Sequence, residues 1–100
     1  MNKIREALNY LDGGARWHKG GLSDGDNRCL IGALMMVDGD DYAIESVVED
    51  VVLEQYADRI NVIDNCLRPV AQFNDHPDTT WPEAERVMEK AAMKLDEEVR

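Results

Sequence analysis

The sequence predicts an all-α fold: a compact bundle of about five helices in a single domain, residues 1–100, with a long glycine-rich loop after the first helix. Two observations carry this. Apolar side chains recur at i, i+3, i+4 and i+7 in several separate stretches, which is the stripe of a helix with one buried face. One run, Cys29-Leu30-Ile31-Gly32-Ala33-Leu34-Met35-Met36-Val37, is apolar nearly all round and gives those stripes a surface to bury against. A chain of 100 residues makes one domain with a small core.

Asn2 to Asp12 reads as the first helix, with Ile4, Ala7, Leu8 and Leu11 on its inner stripe. Asn2 can cap its start, and Gly13-Gly14 supplies the positive-φ stop. Ala15 to Asn27 reads as loop, rich in Gly, Ser, Asp and Asn. A loop this long needs anchors, and Trp17 and Leu22 are its apolar side chains.

Arg28 to Val37 is expected to be the buried central helix, capped by Asp26 or Asn27. Periodicity alone cannot exclude a strand here, but Leu, Ala and Met favour helix. Gly32 costs about 1 kcal/mol inside a helix, which points to close approach of a neighbouring backbone. After a turn at Asp38-Gly39-Asp40-Asp41, a third helix is expected from Tyr42 to Tyr56 or Ala57. It would bury Ile44, Val47, Val48, Val51 and Val52.

Between Asp58 and Asn74 the spacing of Ile60, Ile63, Cys66, Leu67, Val70 and Phe73 is helical, but Pro69 interrupts it. The expectation is a helix over Asn61–Arg68 and a further turn opened by Pro69 at its first position. Thr80-Trp81-Pro82-Glu83 forms a capping box, in which the Thr80 hydroxyl accepts from the Glu83 N–H and the Glu83 carboxylate accepts from the Thr80 N–H. The last helix runs to about Glu97 with Ala84, Val87, Met88, Ala91, Ala92 and Leu95 inward.

Composition narrows the function classes. The net charge is −10, with no basic stripe, so direct binding to a nucleic-acid backbone and docking on an anionic membrane are not expected. No apolar run reaches the roughly 20 residues a membrane span requires, and the charged N-terminus does not read as a signal peptide, so the expected address is the cytoplasm. The cysteines Cys29 and Cys66 are then expected to be reduced. Together with His18 and His76 they lack zinc-site spacing, and Asp24/Asp26 and Asp38/Asp40 lack a full calcium loop. Neither a metal nor a cofactor is expected.

Three landmarks stand out in order: Trp17-His18-Lys19-Gly20; Cys29-Leu30-Ile31-Gly32-Ala33-Leu34; and Phe73-Asn74-Asp75 with Thr80-Trp81-Pro82-Glu83 close behind. They resemble a family of small proteins of unknown function from actinobacteria and their phages, which carries W-x-x-G, C-x-x-G-A-L and an aromatic-N-D followed by T-x-x-E. The resemblance spans about Leu8 to Ala92. It departs at Phe73, where tryptophan is expected, and in a longer acidic middle, Asp38 to Arg59. It implies a helical domain and an actinobacterial or phage origin, and it implies no activity.

Three groups of residues are candidates for function. Cys29, at the start of a helix, could be a thiolate served by His18 or His76 and oriented by Asn74 or Asp75; the plainer reading is a buried thiol. Phe73, Asn74 and Asp75 are read as structural, with Phe73 in the core and the polar pair tying down the loop around Trp17 or capping a helix end. Residues 38–58 hold eight acidic side chains and neither Lys nor Arg. Asp41, Glu45, Glu49, Asp50, Glu54 and Asp58 could form a docking surface for a basic, host-encoded protein, with DNA mimicry as a special case. The plainer reading is a solvated face, on which each like-charge i, i+4 pair costs about 0.2–0.5 kcal/mol.

The preferred function is therefore a non-enzymatic protein-interaction module, one form of which is a phage-encoded accessory protein that binds a host protein through the acidic helix. A small thiol hydrolase using Cys29 and a self-associating structural protein stand as alternatives, and the oligomeric state is left open.

Overall fold

The computed structural model describes residues 2–19, 23–38, 42–60 and 68–98. Five α-helices lie among them: α1 (Lys3–Leu11), α2 (Leu30–Asp38), α3 (Tyr42–Gln55), α4 (Pro69–Asp75) and α5 (Trp81–Glu98). The fold is an all-α bundle. The helix expected over Asn61–Arg68 lies outside the described residues except at Arg68, whose backbone is extended (φ −69°, ψ 145°).

The stripes read from the sequence make the core. Ile4, Ala7 and Leu11 of α1, Leu30 and Leu34 of α2, Val48, Val51 and Val52 of α3, Val70 and Phe73 of α4, and Val87, Met88 and Ala91 of α5 are buried together. Full burial of a side chain of the size of Phe73, Leu30 or Ile4 stabilises the fold by about 1.5–3 kcal/mol each. Helix α1 packs on both α2 and α5, and α3 packs on α4 and α5. Asn2 meets Ala92 and Asp96, while Gly14 meets Trp81, so α1 and α5 run antiparallel.

The ends of α1 show how sequence sets the boundaries. The Asn2 side chain accepts from the Arg5 N–H at 3.0 Å and so caps the first turn. At the other end the left-handed turn begins one residue earlier than the glycines, at Asp12 (φ 50°), and continues through Gly13 (φ 63°) and Gly14 (φ 97°). Asp tolerates this region better than most residues because its short polar side chain clashes little. Gly14 is required for a second reason. A Cβ there would stand 2.7 Å from the Trp81 ring.

Three expectations are corrected. Ala15–Asn27 is not wholly loop: Ser23–Asp24 (β1) and Asn27–Arg28 (β2) pair antiparallel around Gly25, whose φ is +64°. Arg28 therefore belongs to a strand, bridged to Trp17, and α2 begins at Leu30. Two-residue strands carry too little pattern to be read from alternation. Finally, α2 is not capped by Asp26 or Asn27. Cys29 stands at the cap position, with its Sγ accepting from the Gly32 N–H at 3.3 Å, and the Leu30 N–H donates to a side chain from far along the chain, described next.

Candidate functional site

The three landmarks converge on one buried side chain, Asn74. It sits near the end of α4, is 0% exposed, and lies with Val70 and Phe73 on the buried face of that helix. Its Oδ1 accepts from the Trp17 indole N–H at 2.7 Å and from the Leu30 N–H at 3.1 Å. Its Nδ2 donates to the His18 carbonyl at 3.0 Å and to the Asp75 carboxylate at 2.9 Å. One amide thus ties down the long loop and caps α2 as well. A side-chain amide offers two donors and two acceptor positions, and all are engaged.

Neighbouring groups close over this amide. The Lys19 ammonium donates to the carbonyls of His76 at 2.8 Å and Thr79 at 2.7 Å, and lies 5.4 Å from the Trp17 ring centroid. Trp17 and Trp81 pack with ring centroids 5.7 Å apart. Arg59 donates to both oxygens of Glu83, at 3.1 and 3.0 Å, to the Thr79 hydroxyl, and lies over the Tyr56 ring. Tyr56 in turn packs on Phe73. The Arg59 guanidinium holds the Glu83 carboxyl below the usual carboxylate range, aided by the Thr80 N–H. Of the expected capping box, that Thr80 N–H to Glu83 bond is present at 3.0 Å, but the Thr80 hydroxyl turns to the same carboxylate.

These contacts bear on the thiol reading. Burial pushes the Cys29 thiol up from its ordinary range, outweighing the N–H groups of Gly32 and Ile31 that act the other way. This is the reverse of the lowered thiol a helix N-terminus was expected to give. The Asn74 amide meets the His18 backbone carbonyl, and the His76 Nδ1 accepts from the Asp78 N–H at 3.1 Å. No group of three potential metal ligands occurs among the described residues. Gly20 and Cys66 lie outside them, and Gly32 is buried in α2.

The acidic stretch is divided by the fold. Glu45 was expected on a solvated row with Glu49, and this is corrected: it is 4% exposed and pairs with Arg68 at 3.0 Å. Glu54 is exposed but held by Lys90 and Lys94 of α5, at 3.1 and 2.7 Å, and these bonds lower its pKa. Asp50 and Asp58 face solvent, Glu49 is half-buried, and Asp41 lies outside the described residues. What remains outward on α3 is a stripe of Ala43, Ser46, Asp50 and Leu53 at spacings of three and four, with Leu53 40% exposed.

Reasoning from sequence missed Lys19 and Arg59 as fasteners. Arg59 could have been found as the first cation after the acidic stretch, with Glu83 already marked by its motif. Nothing local marks Lys19. No helix among the described residues is long and apolar enough to cross a membrane.

The model of a family of unknown function, DUF6197, matches residues 2–94, and the chain belongs to that family. No curated protein and no solved structure matches it.

Proposed function

We propose that this member of the DUF6197 family is a non-enzymatic protein-interaction module that docks a basic protein on the outward side of α3. The observation that carries the reading is the stripe of Ala43, Ser46, Asp50 and Leu53, which sets an exposed apolar side chain beside acidic ones in a stretch without Lys or Arg. An apolar centre with a charged surround is the composition of a docking patch, and the chain's net charge of −10 steers a basic partner toward it. The groups best suited to chemistry are meanwhile engaged within the fold, as the Asn74 and Cys29 contacts illustrate. The landmark resemblance implies an actinobacterial or phage origin and no activity; the role proposed for a phage-encoded form is that of an accessory protein acting on a host protein in the host cytoplasm.

The test is retention of a partner from actinobacterial lysate by tagged protein, compared with an Asp50→Lys/Leu53→Lys variant. Both side chains are exposed, so circular dichroism should be unchanged while the partner is lost. Recovery of the same protein at the same yield by the variant rejects this face.

A further inference from the structure

The groove between α1 and α5 holds charged groups that neither the Asn74 cluster nor the proposed docking stripe uses. Its volume is about 440 Å³, within the range of small-molecule sites, and it opens to solvent. Arg5 of α1 and Asp12 at its end line one wall, Glu85 and Glu89 of α5 line the other, and Leu8 lies between. The contacts of Asn2 with Ala92 and of Gly14 with Trp81 fix the register of the two helices. That register sets Glu89 across from Arg5 and Glu85 nearer to Asp12. Among the described residues none of these four charged groups makes an ion pair. One guanidinium faces three carboxylates, so negative charge is in excess. No group of three potential metal ligands stands together among the described residues, so the carboxylates are spread too widely to share one ion. Spread charges of both signs suit an extended ligand that itself carries both signs.

We propose that this groove binds a free basic amino acid of the lysine and arginine class. Arg5 and Glu89 take its head group: the guanidinium fork meets the α-carboxylate, and the Glu89 carboxylate meets the α-ammonium. Arg5 and Asp12 stand about two turns apart along α1, or about 10 Å. An extended lysine or arginine covers that span with a hydrogen bond at each end, so its side-chain cation reaches Glu85 and Asp12. Its apolar stem lies along Leu8. Each charge of the ligand thus meets an opposite one. A diamine would set an ammonium against Arg5, and a neutral amino acid would leave Glu85 and Asp12 unmet. Arg5 and Glu85 are half-buried while Asp12 and Glu89 are exposed, so the ligand stays partly in water and its affinity is modest. The site does not depend on the docking face: α5 turns Lys90 and Lys94 toward α3 and Ala92 and Asp96 toward the start of α1.

The test follows backbone amide shifts of the full chain while L-lysine or L-arginine is added at constant ionic strength. Two relatives of lysine are added in parallel: cadaverine, which lacks the carboxylate, and norleucine, which lacks the side-chain ammonium. Lysine and arginine should shift the amides of Arg5, Leu8, Asp12, Glu85 and Glu89, and the shifts should saturate. Cadaverine and norleucine should each bind about tenfold more weakly, having lost one charge pair. Arg5→Met should weaken lysine about tenfold and leave cadaverine unchanged, while Glu89→Gln should weaken both. The Asp50→Lys/Leu53→Lys variant should bind lysine as the wild type does, so failure of the docking face and failure of this site are separate results. Shifts that do not saturate, that fall outside the groove, or that cadaverine reproduces at equal affinity overturn the proposal. If a variant fails to fold, the ligand series on the wild type decides.

Discussion

Asn74 and Glu45 are both buried polar side chains, and the fold treats them oppositely. Every hydrogen-bonding position of Asn74 is filled, by partners from the loop, from α2 and from its own helix. Among the described residues Glu45 has one bond, to a half-exposed arginine, and an oxygen with none. The cost of burying a polar group is recovered only when its bonds are remade inside. The first residue should therefore be indispensable to the fold and the second dispensable, although burial alone would rank them alike.

Asn74→Ala is the largest test of this contrast. It leaves the Trp17 N–H, the Leu30 N–H and the His18 carbonyl without their partner, and should cost about 3 kcal/mol in urea unfolding. A loss below about 1 kcal/mol would mean that water replaces the amide and that the cluster is not what holds the loop. Trp17→Phe sharpens the point. It keeps a ring against Trp81 and removes the 2.7 Å bond with part of the indole's bulk, so the expected loss is about 1–2 kcal/mol.

Glu45→Gln is the smallest change and has the opposite sign. The folded-state pKa of Glu45 is raised. Its contribution to stability is thus fully present below the unfolded value and is lost as pH rises through the folded one. At pH 7 the wild type carries that loss and the variant does not, so the variant should be more stable by about 0.5–1 kcal/mol, with the difference vanishing near pH 4. Removing the charge leaves an arginine whose side chain is already half in water. Urea midpoints at the two pH values measure the effect, and destabilisation at pH 7 would show that the ion pair outweighs burial.

The same contrast separates what could be read from the sequence from what could not. Stripes such as Ile4, Ala7 and Leu11, the valines of α3, and Pro69 at a helix start are local patterns, and local patterns specify helices well. Phe73-Asn74-Asp75 could be read as a loop fastener or a cap, because Asn is suited to both. That one amide does both depends on its distance from Trp17 and Leu30 in space, and a 44- or 57-residue separation leaves no trace in a local pattern. Asp26 and Asn27 are the nearest residues with capping chemistry before α2, yet the Leu30 N–H goes to a distant one. The burial of Glu45 does have a local signal. Glu45, Val48 and Val52 are spaced i, i+3, i+7, which places the carboxylate at the margin of the buried stripe and not in the solvated row.

The reach of Asn74 has a consequence for how the chain is made. As it leaves the ribosome, Trp17 and the start of α2 emerge long before their partner does. Until the last third has been synthesised, the indole and the Leu30 amide have only solvent to bond with, and the glycine-rich segment has only its own local bonds, such as those of Arg28 to Arg16 and His18, to hold it. Closure must then join residues far apart in sequence, so it falls late, after the separate helices have collapsed together. A nascent chain stalled before residue 74 would have its first helices but none of the fastening that unites the two halves.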